Sequence, residues 1–287
     1  MIKNIDLHIH SIYSDGRFTP NEIIETAKKN NVGILSITDH DTIDAYRETL
    51  EIDDMILING VEISAFYKSK KGIKTLIHIL GYDLDFNDKE LLLLLENLKD
   101  YRYEVNKKYL LDLMKKYNYL STDILKSIDC SKYYRLWWAI QQYMQSAQYS
   151  EEEILTIKKY CRHNYPFYPE YDIESKKAIE AIKNAKGIPV IAHPYEYHLS
   201  DLEFKRMLRE LIDFGLEGIE TYHSECPLEY MNKLRMLVES YKLIYTVGSD
   251  FHFPTEEKNK IIGLGIDNNL CSKECSLPKI VLERRKY

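Results

Sequence analysis

The sequence predicts an α/β protein whose strands and helices follow a barrel-like arrangement interrupted by a helical insert. Three observations carry that prediction. Strand-like runs at 2–7, 33–38, 55–63, 74–83, 188–192, 217–222 and 243–248 are in many places separated by helical patterns. The alternation stops between residues 84 and 171, which read as helix after helix. Nine side chains of metal-binding type sit in short motifs, most of them at or just past a strand-like run.

The first strand-like run begins almost at the N-terminus, and a helix is expected to follow it. Thr19-Pro20-Asn21-Glu22 supplies an N-cap, a first-turn proline and a capping-box glutamate, so this helix should run to about Asn30. Asn31 and Gly33 then turn the chain into the second strand. Helical patterns in the 84–171 stretch cover Lys89 to Tyr117, Thr122 to Ile128, Tyr133 to Ala147 and Glu151 to Arg162. Beyond it, Asp172 to Lys186 reads as a helix stopped by Gly187, and Leu202 to Phe214 as another ended by Gly215. The expected organisation is therefore an N-terminal barrel part (1–83), a helical insert (84–171) and a C-terminal barrel part (172–287), with the insert over the barrel mouth. The insert holds both tryptophans, Trp137 and Trp138, and 13 of the 24 tyrosines. A small helical unit needs such bulky residues for its own core, and a few of them could stack on a substrate base.

Composition narrows the function classes. A chain of 287 residues with 45% hydrophobic content can bury a substantial core, and no apolar stretch approaches the ~20 residues that span a bilayer. Leu91 to Leu95 is a short apolar run bracketed by Glu90 and Glu96. No signal peptide is read, and a cytoplasmic location is expected. Five scattered cysteines suit reduced thiols, with Cys271 and Cys275 read as unrelated tail residues. A formal net charge of −6 argues against affinity for long nucleic acid, though one phosphate could still bind in a local positive field.

The nine residues are His8, His10, Asp15, His40, Glu62, His78, His193, Asp250 and His252. Their motifs are D-L-H-I-H-S-x-x-S-D-G, T-D-H-D-T, G-V-E-I-S, H-I-L-G-Y, A-H-P and G-S-D-F-H. His8 and His10 are two apart, as are Asp250 and His252, so on extended backbone each pair points to one side. Six of the nine histidines fall in these motifs, too many for isolated core histidines. Mixed imidazole and carboxylate donors suit Zn, Mn or Fe, with Mg as an alternative, rather than an all-oxygen calcium cage. Two or three such ions can activate a bridging water as hydroxide and clamp both oxygens of a phosphoryl transfer. Three divalent ions against the three carboxylates leave an excess of about three positive charges, a field suited to an anionic substrate.

This motif set resembles the PHP (polymerase and histidinol phosphatase) family, over residues 1–83 and 187–266. The resemblance implies a distorted seven-stranded (β/α) TIM-like barrel with a trinuclear metal site. It implies that His8, His10, Glu62 and Asp250 hold a first metal, that Glu62 bridges to a second held by His78 and His193, and that Asp15, His40 and His252 hold a third. Asp15 and His252 are thereby the residues on which catalysis at the third metal depends. Aspartate at position 15, where many relatives have histidine, together with T-D-H-D-T and the long insert, is similar to the branch of nucleotide phosphatases and 5′→3′ exoribonucleases. That branch implies hydrolysis of a phosphomonoester on a nucleoside 3′,5′-bisphosphate or mononucleotide, or trimming of short RNA. The branch's Arg-Pro-His stretch is matched here by Tyr134-Arg135-Leu136-Trp137-Trp138, which keeps the arginine without the proline and histidine. Tyr195-Glu196-Tyr197 stands where small or basic residues are common, so the metal ligands are retained while the substrate pocket differs.

Candidate substrate contacts are Arg135, His223 in T-Y-H-S-E at the expected barrel mouth, and Arg17 two residues beyond Asp15. His163 and His198 read as surface residues. Other readings compete with a nucleotide phosphatase. They are a histidinol-phosphate phosphatase, a 5′→3′ exonuclease on short RNA and, from another class, a non-catalytic metal-binding regulatory module. Aspartate at 15 weighs against the first, the acidic charge against the second, and the complete ligand set against the third.

Overall fold

Short buried strands open the chain in the computed structural model, which describes residues 3–48, 50–52, 54–132, 136–163, 173–254, 259–270, 273 and 275–285. β1 (Asn4–Asp6) leads into α1 (Pro20–Lys29), whose N-terminus carries the expected capping box: Thr19 accepts from Glu22 N and Glu22 reaches back to Thr19 N. β2 (Val32–Leu35) follows, and then the 55–63 run splits into β3 (Ile56–Leu57) and β4 (Gly60–Lys68). The split is fixed at Asn59, whose side chain both donates to Leu84 O and accepts from Leu84 N, each at 2.8 Å. β5 (Lys74–Tyr82) pairs antiparallel with β4 along its whole length.

The helical stretch comprises α2 (Lys89–Lys116), α3 (Ile124–Ser127), α4 (Leu136–Ser146) and α5 (Glu151–His163). Alternation then resumes with α6 (Ser175–Asn184), β6 (Ile188–Ile191), α7 (Asp201–Asp213), β7 (Gly218–His223), α8 (Leu228–Tyr241) and β8 (Ile244–Gly248). β9 (Lys260–Ile261), β10 (Gly265–Ile266) and α9 (Leu277–Arg284) end the described chain. A second capping box, Ser200 with Glu203, starts α7 one residue earlier than its apolar pattern alone indicates.

The strands form a three-stranded sheet in the order β1-β2-β3, a five-stranded sheet β4-β5-β6-β7-β8 and a hairpin of β9 with β10. The first is parallel, whereas the second begins with two antiparallel pairs and ends with two parallel ones. Among the described residues there is thus no single seven-stranded ladder. The two sheets nevertheless touch through the segments that follow β1 and β2: Leu7 N donates to Val247 O, Ile9 bridges to Phe251, and His40 bridges to Glu62. The fold is α/β, with β-strand ends gathered where the sheets meet.

The chain divides into two compact units, residues 1–94 with 173–287, and residues 95–172. The first has two buried apolar clusters, one around Leu7, Leu80, Tyr82, Val190 and Val247, the other around Ile9, Ile23, Leu35, Ile37 and Phe251. The second has its own core of Leu110, Leu113, Ile124, Leu136, Ile140, Met144 and Ile157. Tyr109 is buried in that core, and Tyr117, Tyr143, Tyr149, Tyr160 and Trp137 pack on it, so these insert aromatics are core material. Cys130, Cys161 and Cys226 are buried free thiols and Cys275 is half-buried and free; Cys271 lies outside the described residues. No described helix is long and apolar enough to cross a membrane.

Candidate metal centre

The motif following β1 and the motif following β8 run side by side. Asp250 N donates to His8 O and His10 N donates to Phe251 O, both at 2.8 Å. On the extended backbone after β1, His8 and His10 share one side, and this pairing sets Asp250 and His252 beside them while Ile9 and Phe251 enter the core. Across the other junction, Glu62 N donates to Asp39 O and Asp41 N donates to Glu62 O, which sets His40 beside the start of β4. On β5, His78 is diagonal to Glu62 and on the same sheet face, and His193 follows β6 by two residues.

All nine predicted residues converge. His8 Nε2 lies 3.1 Å from His10 Nε2, and Glu62 Oε2 is 3.3 Å from each. Asp250 Oδ1 is 3.5 Å from His8 Nε2 and 3.1 Å from His10 Nε2. The other oxygen of Glu62, Oε1, faces His78 Nδ1 at 3.1 Å and His193 Nε2 at 2.9 Å, and those nitrogens are 3.2 Å apart. Asp15 Oδ1 is 3.1 Å from His252 Nε2 and 3.9 Å from His40 Nε2. His40 presents its second nitrogen to Glu62 Oε2 at 3.1 Å, and so stands between two groups of donors.

These spacings fit metal ions. Two donors about 2.0–2.1 Å from one ion stand roughly 2.9–3.4 Å apart at ordinary bond angles. Bare imidazole nitrogens do not attract one another, so two such pairs at 3.1–3.2 Å call for a proton or a cation between them. Glu62 Oε2 and Asp15 Oδ1 are buried and make no hydrogen bond of acceptable geometry among the described residues. Groups able to hold an ion are His8, His10 and Glu62; His10, Asp15, His40 and His252; and His40, Glu62 and His78.

The electrostatics agree with that fit. Burial alone would raise the Glu62 carboxyl, but His40, His8 and His78 around it hold it well below the usual range. Burial is likewise outweighed at Asp250 by His252 and Lys260, and at Asp15 by His252 and His40. All three carboxylates therefore remain ionised at neutral pH. Burial opposes the charged form of His10, yet Asp250, Glu62 and Asp15 push it up to about 10. His193 is pushed up to about 9 in the same way, with Glu62 overcoming the effect of burial. His40 goes the other way, because burial, with His10 and His78 adding to it, outweighs its carboxylate neighbours.

Four residues outside the nine build the site. Glu220 on β7 is fully buried; its Oε1 is 2.9 Å from His8 Nδ1 and its Oε2 accepts from His193 N at 2.7 Å. Asp6 accepts from Ser249 N and Gly263 N, tying the two strand ends together. Asp39 accepts from Ser11 N, Ser11 Oγ and Ser14 Oγ, which shapes the loop carrying Asp15. Tyr197 donates to Ala192 O at 2.6 Å and accepts from His78 N at 3.1 Å, so the second tyrosine of the P-Y-E-Y segment ties together the backbone beside His78 and His193. A sequence signal existed for the first three: each is an acid adjoining or interrupting an otherwise apolar run, where an unpaired charge is not tolerated.

Backbone geometry also concentrates here. His193 and Asp250 both adopt positive φ, at 24° and 52°, a conformation non-glycine residues hold only when their surroundings impose it. Gly248 precedes the second of them, and a Cβ there would stand 2.2 Å from His8 Cβ and 2.5 Å from Glu220 Oε1.

The remaining predicted residues separate. His223 is buried at the end of β7, with Nε2 3.7 Å from Asp250 Oδ2. Arg17 is exposed and lays its guanidinium 3.9 Å over the Phe253 ring, just beyond His252. His198 is exposed, as read from the sequence. Arg135 lies outside the described residues, and so does the side chain of His163.

Comparison with known proteins places this geometry in context. A family model described as the PHP domain matches residues 6–188. A 5′-3′ exoribonuclease of Haemophilus influenzae is 28% identical, over 88% of this chain and 92% of its own. A 3′,5′-nucleoside bisphosphate phosphatase of Chromobacterium violaceum is 27% identical, over 88% of each chain. The solved structure of an amidohydrolase from Chromobacterium violaceum superposes with a TM-score of 0.75 at 23% identity, covering 98% of this chain and 96% of that one, and supports the fold.

Proposed function

The chain belongs to the PHP domain family, and from that membership we propose that it is a divalent-metal-dependent phosphoesterase acting on a small phosphorylated molecule of nucleotide type. The main support is Glu62, whose two oxygens face two separate sets of imidazole nitrogens at 2.9–3.3 Å. That is the arrangement of a carboxylate shared by two ions. In this reading His8, His10, Glu62 and Asp250 hold one ion, Glu62, His78 and His193 a second, and Asp15, His40 and His252 a third. The backbone bonds between the two sheets support reading the first unit as a distorted barrel with these residues at its strand ends.

Two to three Mn, Zn or Fe ions, or Mg, would supply an acidified water and positive charge against the phosphoryl oxygens. The chain's own residues do the rest. Glu62, Asp250 and Asp15 stay anionic and fix the charge balance, while Glu220, Asp6 and Asp39 hold the histidines and their loops in one orientation. His8, His10 and Glu62 are fully inaccessible, whereas the Asp250, His78 and His252 side chains keep some exposure. Both the bisphosphate phosphatase and the exoribonuclease similarities favour a substrate carrying a ribose phosphate.

A phosphate-release screen in Mn²⁺ tests this reading with nucleoside 3′,5′-bisphosphates, mononucleotides, histidinol phosphate and short 5′-phosphorylated RNA. Fastest release from a nucleoside 3′,5′-bisphosphate is expected. The similarity to the exoribonuclease favours a second reading, stepwise 5′ trimming of short RNA. Mononucleotide products from an oligomer of a few residues, formed faster than bisphosphate is hydrolysed, would establish it. No phosphate release from any of the four classes, together with no mononucleotide product from the RNA, would overturn both.

A further inference from the structure

Histidines in this cluster are wired in two opposite senses. Glu220 Oε1, a carboxylate oxygen that only accepts, lies 2.9 Å from His8 Nδ1, so the hydrogen is on Nδ1 and the Nε2 lone pair faces the other donors. His252 has the same wiring, with Nδ1 3.0 Å from the Asp250 carbonyl oxygen. So has His10: its Nδ1 is 3.4 Å from Ser14 Oγ, whose own hydrogen goes to Asp39 Oδ1 at 2.5 Å. His223 is reversed. Its Nδ1 accepts from the backbone N–H of Glu225 at 3.3 Å. A backbone amide only donates, so this nitrogen is bare and the ring hydrogen sits on Nε2.

That Nε2 is buried and makes no hydrogen bond among the described residues. It points toward the side of Asp250 away from His10, 3.7 Å from Oδ2. The ring centroid lies 5.8 Å from that of His193 and 6.5 Å from that of His8. By proximity alone His223 would form a further metal-binding group with Glu196 and Asp250. Its wiring argues against that: ligation through Nε2 would require the hydrogen to move to Nδ1, where it would face the Glu225 N–H.

We propose that His223 is an N–H donor to a phosphoryl or leaving-group oxygen of the substrate, seated beside Asp250, and is not a ligand of a further ion. A phosphate ester is anionic and rich in acceptor oxygens, and once ions fill the cluster a buried N–H that makes no hydrogen bond among the described residues and stands 3.7 Å from Asp250 Oδ2 is suited to meet it. The role rests on the phosphoesterase reading above.

Three variants and one spectrum test it. Glutamine places an amide N–H close to the position of the imidazole Nε2, whereas asparagine reaches only the position of Nδ1. His223→Gln should keep kcat/KM within several-fold of wild type on the best substrate of the screen, while His223→Asn and His223→Ala lose roughly ten- to hundredfold. All three should retain wild-type metal content by elemental analysis. In the ¹⁵N-histidine spectrum of the zinc-loaded protein, the ring signals absent from His223→Gln should show a bare Nδ1 and a protonated Nε2. Loss of a metal equivalent in all three variants, or a bare Nε2 in the spectrum, would overturn the proposal in favour of ligation. Unchanged kinetics in His223→Asn alongside an active wild type would overturn it while leaving the phosphoesterase reading intact. A wild type inactive on every phosphate ester would instead remove that reading, and the substrate role with it.

Discussion

Glu220 accepts the Nδ1 hydrogen of His8 at 2.9 Å, which leaves Nε2 of His8 toward the other candidate ligands. The same carboxylate takes the backbone N–H of His193 through its other oxygen at 2.7 Å. One buried acid on β7 thus orients a ligand after β1 and the backbone of another after β6. Glu220→Gln keeps the volume but offers an amide N–H to one of those partners. His8 would then meet a donor with a donor, or change tautomer and lose its lone pair toward the cluster. Metal affinity should fall about 10- to 100-fold, the scale for such orienting contacts. Competition titration against a chelator checks it, and unchanged affinity would show that His8 is oriented by packing alone.

Glu62 makes a different prediction, because it serves two groups of donors at once. The purified protein should carry two to three metals per chain. Glu62→Gln should lower occupancy at two sites together, and elemental analysis after reconstitution reads both numbers. Fewer than one equivalent of Zn, Mn and Fe combined in the wild type would contradict the centre itself. Loss of a single metal in the variant would contradict only the bridge.

Asp15 and His252 meet at 3.1 Å on the side of the cluster away from His193 and His78. Asp15→Ala and His252→Ala should lower kcat by on the order of a hundredfold, comparable to removing one preorganised electrostatic contact. The ions at the Glu62 end should stay bound. If either variant is purified without any metal, the division of ligands between the three sites is wrong.

Gly248→Ala tests the packing that holds His8 and Glu220 in register. The added Cβ has backbone-proximal atoms of His8 2.2 Å away, which cannot move aside as a flexible side-chain tip would. Overpacking of this kind costs on the order of 1–3 kcal/mol. A fall in Tm of several degrees, together with weaker metal retention, is expected from a thermal melt run with and without added Mn²⁺. A variant as stable as wild type in both melts would mean that the strand end adjusts freely.

The nine candidate ligands were legible because they are polar residues of a few types in places where strands should end. Their supports were harder to read. Glu220 sits in G-I-E-T-Y-H, a strand buried at every position, and only the cost of an unpaired buried charge marks it. The helix α8 escaped the sequence reading for a physical reason as well. Met231, Leu234 and Val238 face inward at helical spacing, but Leu228 and Met236 are 67% and 68% exposed, which blurs the contrast between its faces. The break of the 55–63 run into β3 and β4 depends on Asn59 bonding to Leu84, a contact that no local pattern records.

Arg135 is the last candidate and belongs to the sequence reading alone. Its neighbours on the C-terminal side are Leu136, buried in the insert core, and Trp137, packed against it. The residues that follow the arginine are thus core-forming. If the guanidinium meets a substrate phosphate, Arg135→Ala removes a charge-assisted and bidentate interaction worth on the order of 1.5–3 kcal/mol. That corresponds to roughly a ten- to hundredfold loss in kcat/KM, with metal content and Tm unchanged. Arg135→Lys should recover only part of the loss, because an ammonium keeps the charge but not the planar fork. Steady-state kinetics on the best nucleotide, with elemental analysis of each variant, separates this from a structural effect. Wild-type kinetics in Arg135→Ala would assign phosphate recognition to the metals and His223, and the insert would then take no direct part in binding the phosphate.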